Sequence, residues 1–452
     1  MLAAARAGAD AVAARQAERL TLLLQAAERT RFYRQALRGL DPATTPLAAL
    51  PVCGKAQLMR HFADHVTDPA LALPALQAFC ADPTRIGQPF DGRYWVWESS
   101  GSTGEPGLFV QDDAAMAVYD ALEGTRRSPP HPWARLIDPL YLGERFALVG
   151  AIGGHFASHV SALRLRAANP WLKQHSHSFS ILQPTPTLVA QLNPFAPSIL
   201  ATYPTAAVLL AEEARRGALC LHLREVWTGG ETLTPAMRTR IEQAFGCALR
   251  NSYGASEFLP IAWECDQGRL HVNADWVILE PVDAQHRPVR AGQVSHTTLL
   301  TNLANHVQPL IRFDIGDSIR LPPAPCPCGS ALPVVEVQGR HDDMLVVSGR
   351  NGERVTLLPL ALTTVLEDDA GVFDFRIEQR DATHLLLWLG PGATRTRAAR
   401  QRCREVLCKF AHAQGAVGLH VSTRELETLP LGRSGKLKRV VAAPAAKRGM
   451  AG

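Results

Sequence analysis

Glu98 to Gly107 reads ESSGSTGEPG and follows directly on the apolar Tyr94–Trp97, YWVW. A Ser/Thr/Gly run of this kind carries no large side chain. Its backbone N–H groups can therefore turn toward an anion, with the hydroxyls as further donors, and polyphosphate is the natural guest. The chain contains no G-x-x-x-x-G-K-[ST], so this is not a Walker loop. What separates it from a flexible linker is its flanks: a strand-like run before it and a helix-like AAMAVYDAL, Ala114–Leu122, after it.

Working outward, short apolar runs alternate with helical patterns from Trp95 to about Gln338. RFALVGAIGG (Arg145–Gly154), APSILATYPTAAVLLAEEARRG (Ala196–Gly217) and the stretch Leu223–Gly254 each fit strand, Gly- or Pro-bearing turn, then helix. That alternation predicts α/β layers with mainly parallel strands. Arg269–Arg320 is richer in Val, Ile and Thr and breaks at Pro and Gly, which suits antiparallel strands. The first 90 residues read as helices and loops. After Gly339 the pattern restarts as a small α+β unit, of a size usual for an independent domain. The division is therefore 1–338 and 339–452.

With 452 residues, 46% of them hydrophobic and 20% charged, and a net charge of +5, the composition is that of a globular protein. No block of like charge points to nucleic acid, and no stretch reaches the ~18 apolar residues of a membrane span. Charges at Arg6, Asp10, Arg15, Glu18 and Arg19 break the N-terminus too often for a signal core, so an amphipathic helix and a cytoplasmic location are expected.

The glycine loop resembles the phosphate loop of the adenylate-forming superfamily of acyl-CoA synthetases, peptide-synthetase adenylation domains and luciferases. Glu105 stands where the family usually has lysine. Five further family motifs follow in order. WTGGETL (Trp227–Leu233) resembles the adenine-contacting turn, with Gly230, Glu231 and Thr232 at the matching positions. SYGASEF (Ser252–Phe258) resembles the motif in which Tyr253 stacks near adenine and Glu257 holds Mg²⁺. RFDIGD (Arg312–Asp317) ends on the Asp317 that accepts from the ribose hydroxyls. GRHDDMLVVSG (Gly339–Gly349) resembles the hinge, with Arg340 near the ribose and Asp342 as pivot. LPLGRSGKLKR (Leu429–Arg439) carries Lys436, which reaches the acid and the α-phosphate.

The resemblance implies a large domain of mixed sheets layered with helices and a small mobile lid. It also implies that Ser99, Ser100, Gly101, Ser102, Thr103, Gly104, Gly254 and Ser256 join the ATP site, with Lys436, Glu257 and Arg340 as catalytic groups. RFYRQALRG and LAALPVCGKAQLMRHF resemble the phenylacetate-CoA ligase branch. That branch implies activation of an aromatic acid, hydroxybenzoate- or phenylacetate-like, with ATP and Mg²⁺, and transfer to CoA or an acyl carrier protein. The enzyme would be monomeric or homodimeric. His155, Phe156, Tyr203 and Phe258 are the positions expected near the acid, although GGHFASH also fits plain packing. His175 and His177 are expected on a polar surface loop. The Arg-rich helix near Arg395–Arg404 is either a solvated face or a docking face for an acidic carrier.

Cys265 and His271, in WECDQGRLHV, and Cys326 and Cys328, in PCPCG, form a Cys₃His set suited to a closed structural Zn²⁺ site. Many members of the branch carry such a patch, whereas PCPCG alone is equally a turn with reduced thiols. The rival from another class is a non-catalytic, zinc-bearing interaction protein retaining the ligase fold. It predicts loss of Lys436, Glu257 or Asp317, and all three are present.

Overall fold

The computed structural model describes residues 8–99, 107–126, 143–340, 343–350, 353–357, 359–390, 396–430 and 437–443. Its backbone is a nine-stranded mixed sheet. The order runs Asp317–Arg320, Val334–Arg340, Leu270–Val272, Phe258–Glu264, Ala248–Ala255, Glu225–Thr228, Ile199–Thr202, Phe146–Gly150 and Ser176–Ser180. The last five are parallel to one another, and the rest pair antiparallel. The strands at Phe146, Ile199 and Glu225 alternate with helices as the sequence predicts. The helices Pro204–Arg215 and Pro235–Phe245 bury Ala207, Leu210, Met237 and Ile241 against Val149, Leu200 and Val226. Parallel strands need such crossover helices, which is why these runs read as apolar rather than alternating.

A second sheet, ordered Cys53–Gly54, Phe313–Asp314, Thr297–Asn302 and Val277–Val282, accounts for part of the expected antiparallel segment. Its first strand pairs parallel with Phe313–Asp314 and so draws the N-terminal helical segment into the body. The helix Ala9–Ala27 is fixed there by Arg19, which stacks 3.4 Å from the Trp276 ring centre and joins Arg126 on the buried Asp275. No helix among the described residues is long and apolar enough to cross a membrane.

The strand Val334–Arg340 reaches past residue 338, with Gly339 and Arg340 paired to Ser318 and Asp317. Two details depart from the sequence reading. A strand, Leu108–Gln111, intervenes between the glycine loop and the helix Asp113–Arg126, making a hairpin with Trp95–Glu98. His177 lies not on a loop but on the edge strand Ser176–Ser180, packed against Phe179.

The small unit has its own core. Leu345, Leu357, Leu366, Phe375, Leu387, Leu407 and Val421 are buried between the helices Pro359–Asp368 and Arg397–Ala413 and a four-stranded sheet ordered His420–Glu425, His384–Leu389, Phe375–Gln379 and Val440–Val441.

Candidate active site

The parallel strands end on one side of the sheet, where loops gather at the change from parallel to antiparallel pairing. Ligand clefts of α/β sheets form at that side. There a cleft of about 1350 Å³ opens between the large body and the small unit. Gly230, Glu231, Tyr253, Glu257, Asp317 and Arg340 all line it, from four separate stretches of sequence.

Each is held by its neighbours. Gly230 needs φ +76°, open to glycine at little cost. A Cβ on Gly254 would lie 2.0 Å from the Leu259 carbonyl oxygen, so only glycine lets the strands Ala248–Ala255 and Phe258–Glu264 meet there. The fully buried Trp97 donates its indole N–H to the Ser256 carbonyl at 2.8 Å. Asn302 donates to the Glu257 carbonyl at 2.9 Å. Both backbone neighbours of the Glu257 side chain are thus fixed, and the strand before the glycine loop is tied to the same motif. At the loop's base Ser99 N–H donates to the Gly107 carbonyl, and Gly107 N–H donates to Ser99 Oγ, each at 2.8 Å. Ser100, Gly101, Ser102, Thr103, Gly104 and Glu105 lie outside the described residues, as do Asp342 and Lys436.

The electrostatics are those of a cation-binding pocket. Burial pushes the Glu257 carboxyl up to about 7, and the nearby Asp317 adds to the rise. A carboxyl so placed ionises more readily when a cation arrives, and one carboxylate beside phosphate oxygens suffices for Mg²⁺. Tyr253 hydroxyl donates to Asp317 Oδ2 at 2.7 Å, and Arg340 Nη1 approaches Asp317 Oδ1 to 4.0 Å. The Asp317 side chain is therefore fixed by two partners, with Arg340 packed over Gly316.

One cleft residue carries no role in the sequence reading. Lys55 opens the helix Lys55–Arg60 directly after the strand Cys53–Gly54. Its side-chain carbons lie against Gly107 at the end of the glycine loop, and its charge lowers the Glu257 carboxyl. It supplies cationic charge beside a loop that has Glu105 in place of lysine. The string LAALPVCGK contained it, but only the pairing of Cys53 with Phe313 shows where it points.

The small unit closes the cleft. Leu437 N–H, the residue after Lys436, donates to Glu231 Oε1 at 3.1 Å, while Glu231 Oε2 accepts from the Thr205 hydroxyl at 2.7 Å. Lys438 pairs with Asp343 at 2.6 Å. Arg439 pairs with the buried Glu367 and donates to the Phe373 carbonyl at 2.7 Å.

The residues expected near the acid divide. Tyr203 follows the strand Ile199–Thr202, its hydroxyl 3.5 Å from Ala151 N. His155 is buried, 5.1 Å from the Phe79 ring, and burial depresses its pKa, so it is neutral near pH 7. Phe156 bridges to Glu98 at the loop's base. None of the three is among the described residues bordering the cleft, and Phe258 is a core residue instead. It is fully buried, edge-on to Tyr119 at 5.0 Å, because its side chain falls on the inner face of its strand.

The four metal-site candidates do converge. One donor atom each from Cys265, His271, Cys326 and Cys328 lie within 4.8 Å of one another. Cys265 Sγ and Cys326 Sγ are 3.8 Å apart. Tetrahedral zinc with bonds of ~2.3 Å to sulfur requires an S···S edge of about 3.8 Å. His271 Nε2 lies 3.3 Å from Cys328 Sγ, and its Nδ1 is 2.8 Å from the Leu332 carbonyl, which fixes the tautomer that leaves Nε2 for a metal. The donor set and its outer partner both fit a closed zinc site.

No protein-family model matches the sequence. Protein CapK of Staphylococcus aureus is 27% identical over 215 residues, which is 44% of this chain and 43% of CapK, so the match spans less than half of either protein. Among solved structures, 2-hydroxyisobutyryl-CoA ligase in the postadenylation state, with R3-HIB-AMP, superposes with a TM-score of 0.70 at 21% identity, over 95% of this chain and 89% of that one. The same ligase in its thioesterification state, with 2-HIB-AMP and CoA, superposes at 0.55 with 23% identity over 94% and 88%. The anthranilate CoA ligase AuaEII with anthranoyl-AMP gives 0.56 at 17% identity over 76% and 64%. The chain has the fold of the adenylate-forming ligases.

Proposed function

We propose that this protein is an ATP-dependent acid–thiol ligase that makes an acyl-adenylate and then a thioester. The observation that carries the reading is the meeting of Gly230, Tyr253, Glu257, Asp317 and Arg340 on one cleft, which Leu437 of the small unit joins through Glu231. In the first half-reaction a carboxylate oxygen attacks the α-phosphorus of ATP, and the bond to the β-phosphate breaks to release pyrophosphate. The glycine loop and Lys55 cradle the departing phosphates. Glu257 holds Mg²⁺, whose charge offsets that of the phosphates. Asp317 takes the ribose hydroxyls, and Lys436 follows the charge that develops between acid and phosphate. Such catalysis is positioning and charge stabilisation. The small unit then turns about Asp342, withdrawing Lys436, and a pantetheine thiol attacks the acyl carbon as AMP leaves.

For the acid we propose an aromatic carboxylate, hydroxybenzoate- or phenylacetate-like. What supports this is that neutral His155, against Phe79, and Phe156, bridged to Glu98, lie by the phosphate loop's base, while Tyr203 sets its hydroxyl 3.5 Å from Ala151 N. The acceptor is CoA or the pantetheine arm of a carrier protein. Pyrophosphate exchange with a panel of aromatic and short hydroxy acids tests the first step, and CoA against holo carrier protein tests the second. Exchange with no acid, and a Lys436→Ala variant like wild type, would overturn the reading.

Two further outcomes are expected. Lys55→Ala raises the KM for ATP in exchange by about tenfold, with kcat changed only a few-fold, because phosphate binding rather than attack loses a charge. The Cys₃His set holds structural zinc, without an open position, next to the strand that leads to the hinge. Elemental analysis gives about one zinc per chain, lost in Cys326→Ser, which also melts lower.

A further inference from the structure

One turn of the large body, GGETLT at Gly229–Thr234, bears two polar contacts to the small unit. Glu231 accepts from Leu437 N–H, as above. Thr234 hydroxyl donates to the carboxylate of Glu367, on the helix Pro359–Asp368 of the small unit. Glu367 is buried, and the side chain paired with it is Arg439, only 9% exposed and lying 4.0 Å from the Phe375 ring centre. A carboxylate and a guanidinium removed from water this far need every hydrogen bond they can make. Glu367 takes one more from across the gap, at Thr234. Thr234 also caps the helix Pro235–Phe245, its Oγ accepting from Met237 N–H at 3.2 Å, so its hydroxyl position is fixed by the large body. Arg240 of the same helix lies 4.5 Å from the Phe373 ring centre.

We infer that Thr234 and Glu367 are positioning residues for the first half-reaction. Together with Glu231 they form a latch that holds the small unit closed against the cleft. Opening it leaves the Glu367–Arg439 pair intact but strips Glu367 of its partner from the large body. The closed state is thereby favoured until product formation lets the unit turn. The latch does not touch the reacting atoms, so it acts on the closed population, and exchange falls with that population. The inference rests on the ligase reading for its kinetic consequence, though not for its conformational one.

The test compares wild type with Thr234→Ala, Glu367→Gln and Thr234→Ser. Amide hydrogen exchange of residues 437–441 and of the helix Pro359–Asp368 reports closure with no substrate present. Pyrophosphate exchange with the best acid reports the first half-reaction, and thioester formation from the purified acyl-adenylate reports the second. Thr234→Ala and Glu367→Gln are expected to lose roughly 10- to 100-fold in pyrophosphate exchange, the worth of a hydrogen bond to a charged group. They should keep thioester formation within about threefold and lose protection at 437–441. Thr234→Ser, which keeps both hydroxyl bonds, behaves like wild type. Unchanged protection and exchange overturn the latch. So does an equal fall of both half-reactions with a lowered melting temperature, which marks a merely structural role. If wild type exchanges with no acid, the ligase reading falls while protection at 437–441 still decides the latch.

Discussion

Lys436→Ala lowers acid-dependent pyrophosphate exchange by about 10³-fold while thioester formation from preformed acyl-adenylate falls less than about tenfold. The magnitude is that of removing one preorganised charge-stabilising donor from a water-poor site. Preorganisation here is a property of the residues that follow. Leu437, Lys438 and Arg439 are each anchored, on Glu231, Asp343 and Glu367, so the segment enters the cleft along a fixed line. An ammonium at position 436 thus needs little reorganisation as negative charge passes to pyrophosphate. The second half-reaction makes no such demand, because AMP is already the leaving group and the lysine has been withdrawn. Lys436→Arg restores less than a tenth of the lost rate, since the planar guanidinium neither fits nor tracks a moving charge as a compact ammonium does. Measuring both half-reactions on one preparation checks the asymmetry. Equal losses in the two would place Lys436 in folding or in adenylate binding generally.

The two structural levels were not equally legible in the sequence. The strand–turn–helix runs at Arg145, Ala196 and Leu223 announced the parallel half of the sheet, because fully covered strands read as unbroken apolar runs and their crossovers as amphipathic helices. The Cys₃His set was legible too, since thiols and an imidazole at 265, 271, 326 and 328 have a donor chemistry that spacing alone suggests, and folding brings them within 4.8 Å. Lys55 was not legible as a site residue. Its place depends on a two-residue strand pairing with Phe313–Asp314, some 260 positions away, and no local pattern encodes so long a contact. Phe258 was not legible as a core residue for a related reason. Glu257 lies in the two-residue turn between the strands Ala248–Ala255 and Phe258–Glu264, and Phe258 opens the second strand. With Glu257 lining the cleft, Phe258 points into the core against Tyr119. The contact between Thr234 and Glu367 has no local signature, since Thr234 caps the helix Pro235–Phe245 and Glu367 lies at the end of the helix Pro359–Asp368. Only their meeting gives either a second role.

Glu257→Gln separates activity from stability in opposite directions. The carboxyl is buried and pushed up to about 7 from an ordinary 4.5, with desolvation the largest cause and Asp317 a further one. A group with a raised folded-state pKa stabilises fully below its unfolded pKa, and that stability is lost as pH rises through the folded value. The window is therefore about pH 4.5 to 7. The loss across it is at most about 3 kcal/mol, at 1.36 kcal/mol per pKa unit. Glutamine cannot ionise and shows no such slope, so without Mg²⁺ or nucleotide the variant melts several degrees above wild type at pH 8 and close to it at pH 5. The same substitution removes the carboxylate proposed to hold Mg²⁺, and pyrophosphate exchange is expected to drop by about 10²–10³-fold. In wild type, protons compete with the metal below pH 7, so the apparent Mg²⁺ affinity of the free protein falls by up to about tenfold per pH unit there. Glu257→Gln abolishes that dependence together with the binding. Thermal melts of both proteins at pH 5 and pH 8, with and without Mg·ATP, decide the matter. A variant less stable than wild type at pH 8 would mean that Glu257 is paired in the free protein and supports the fold, and its assignment as the metal-holding carboxylate would then fail.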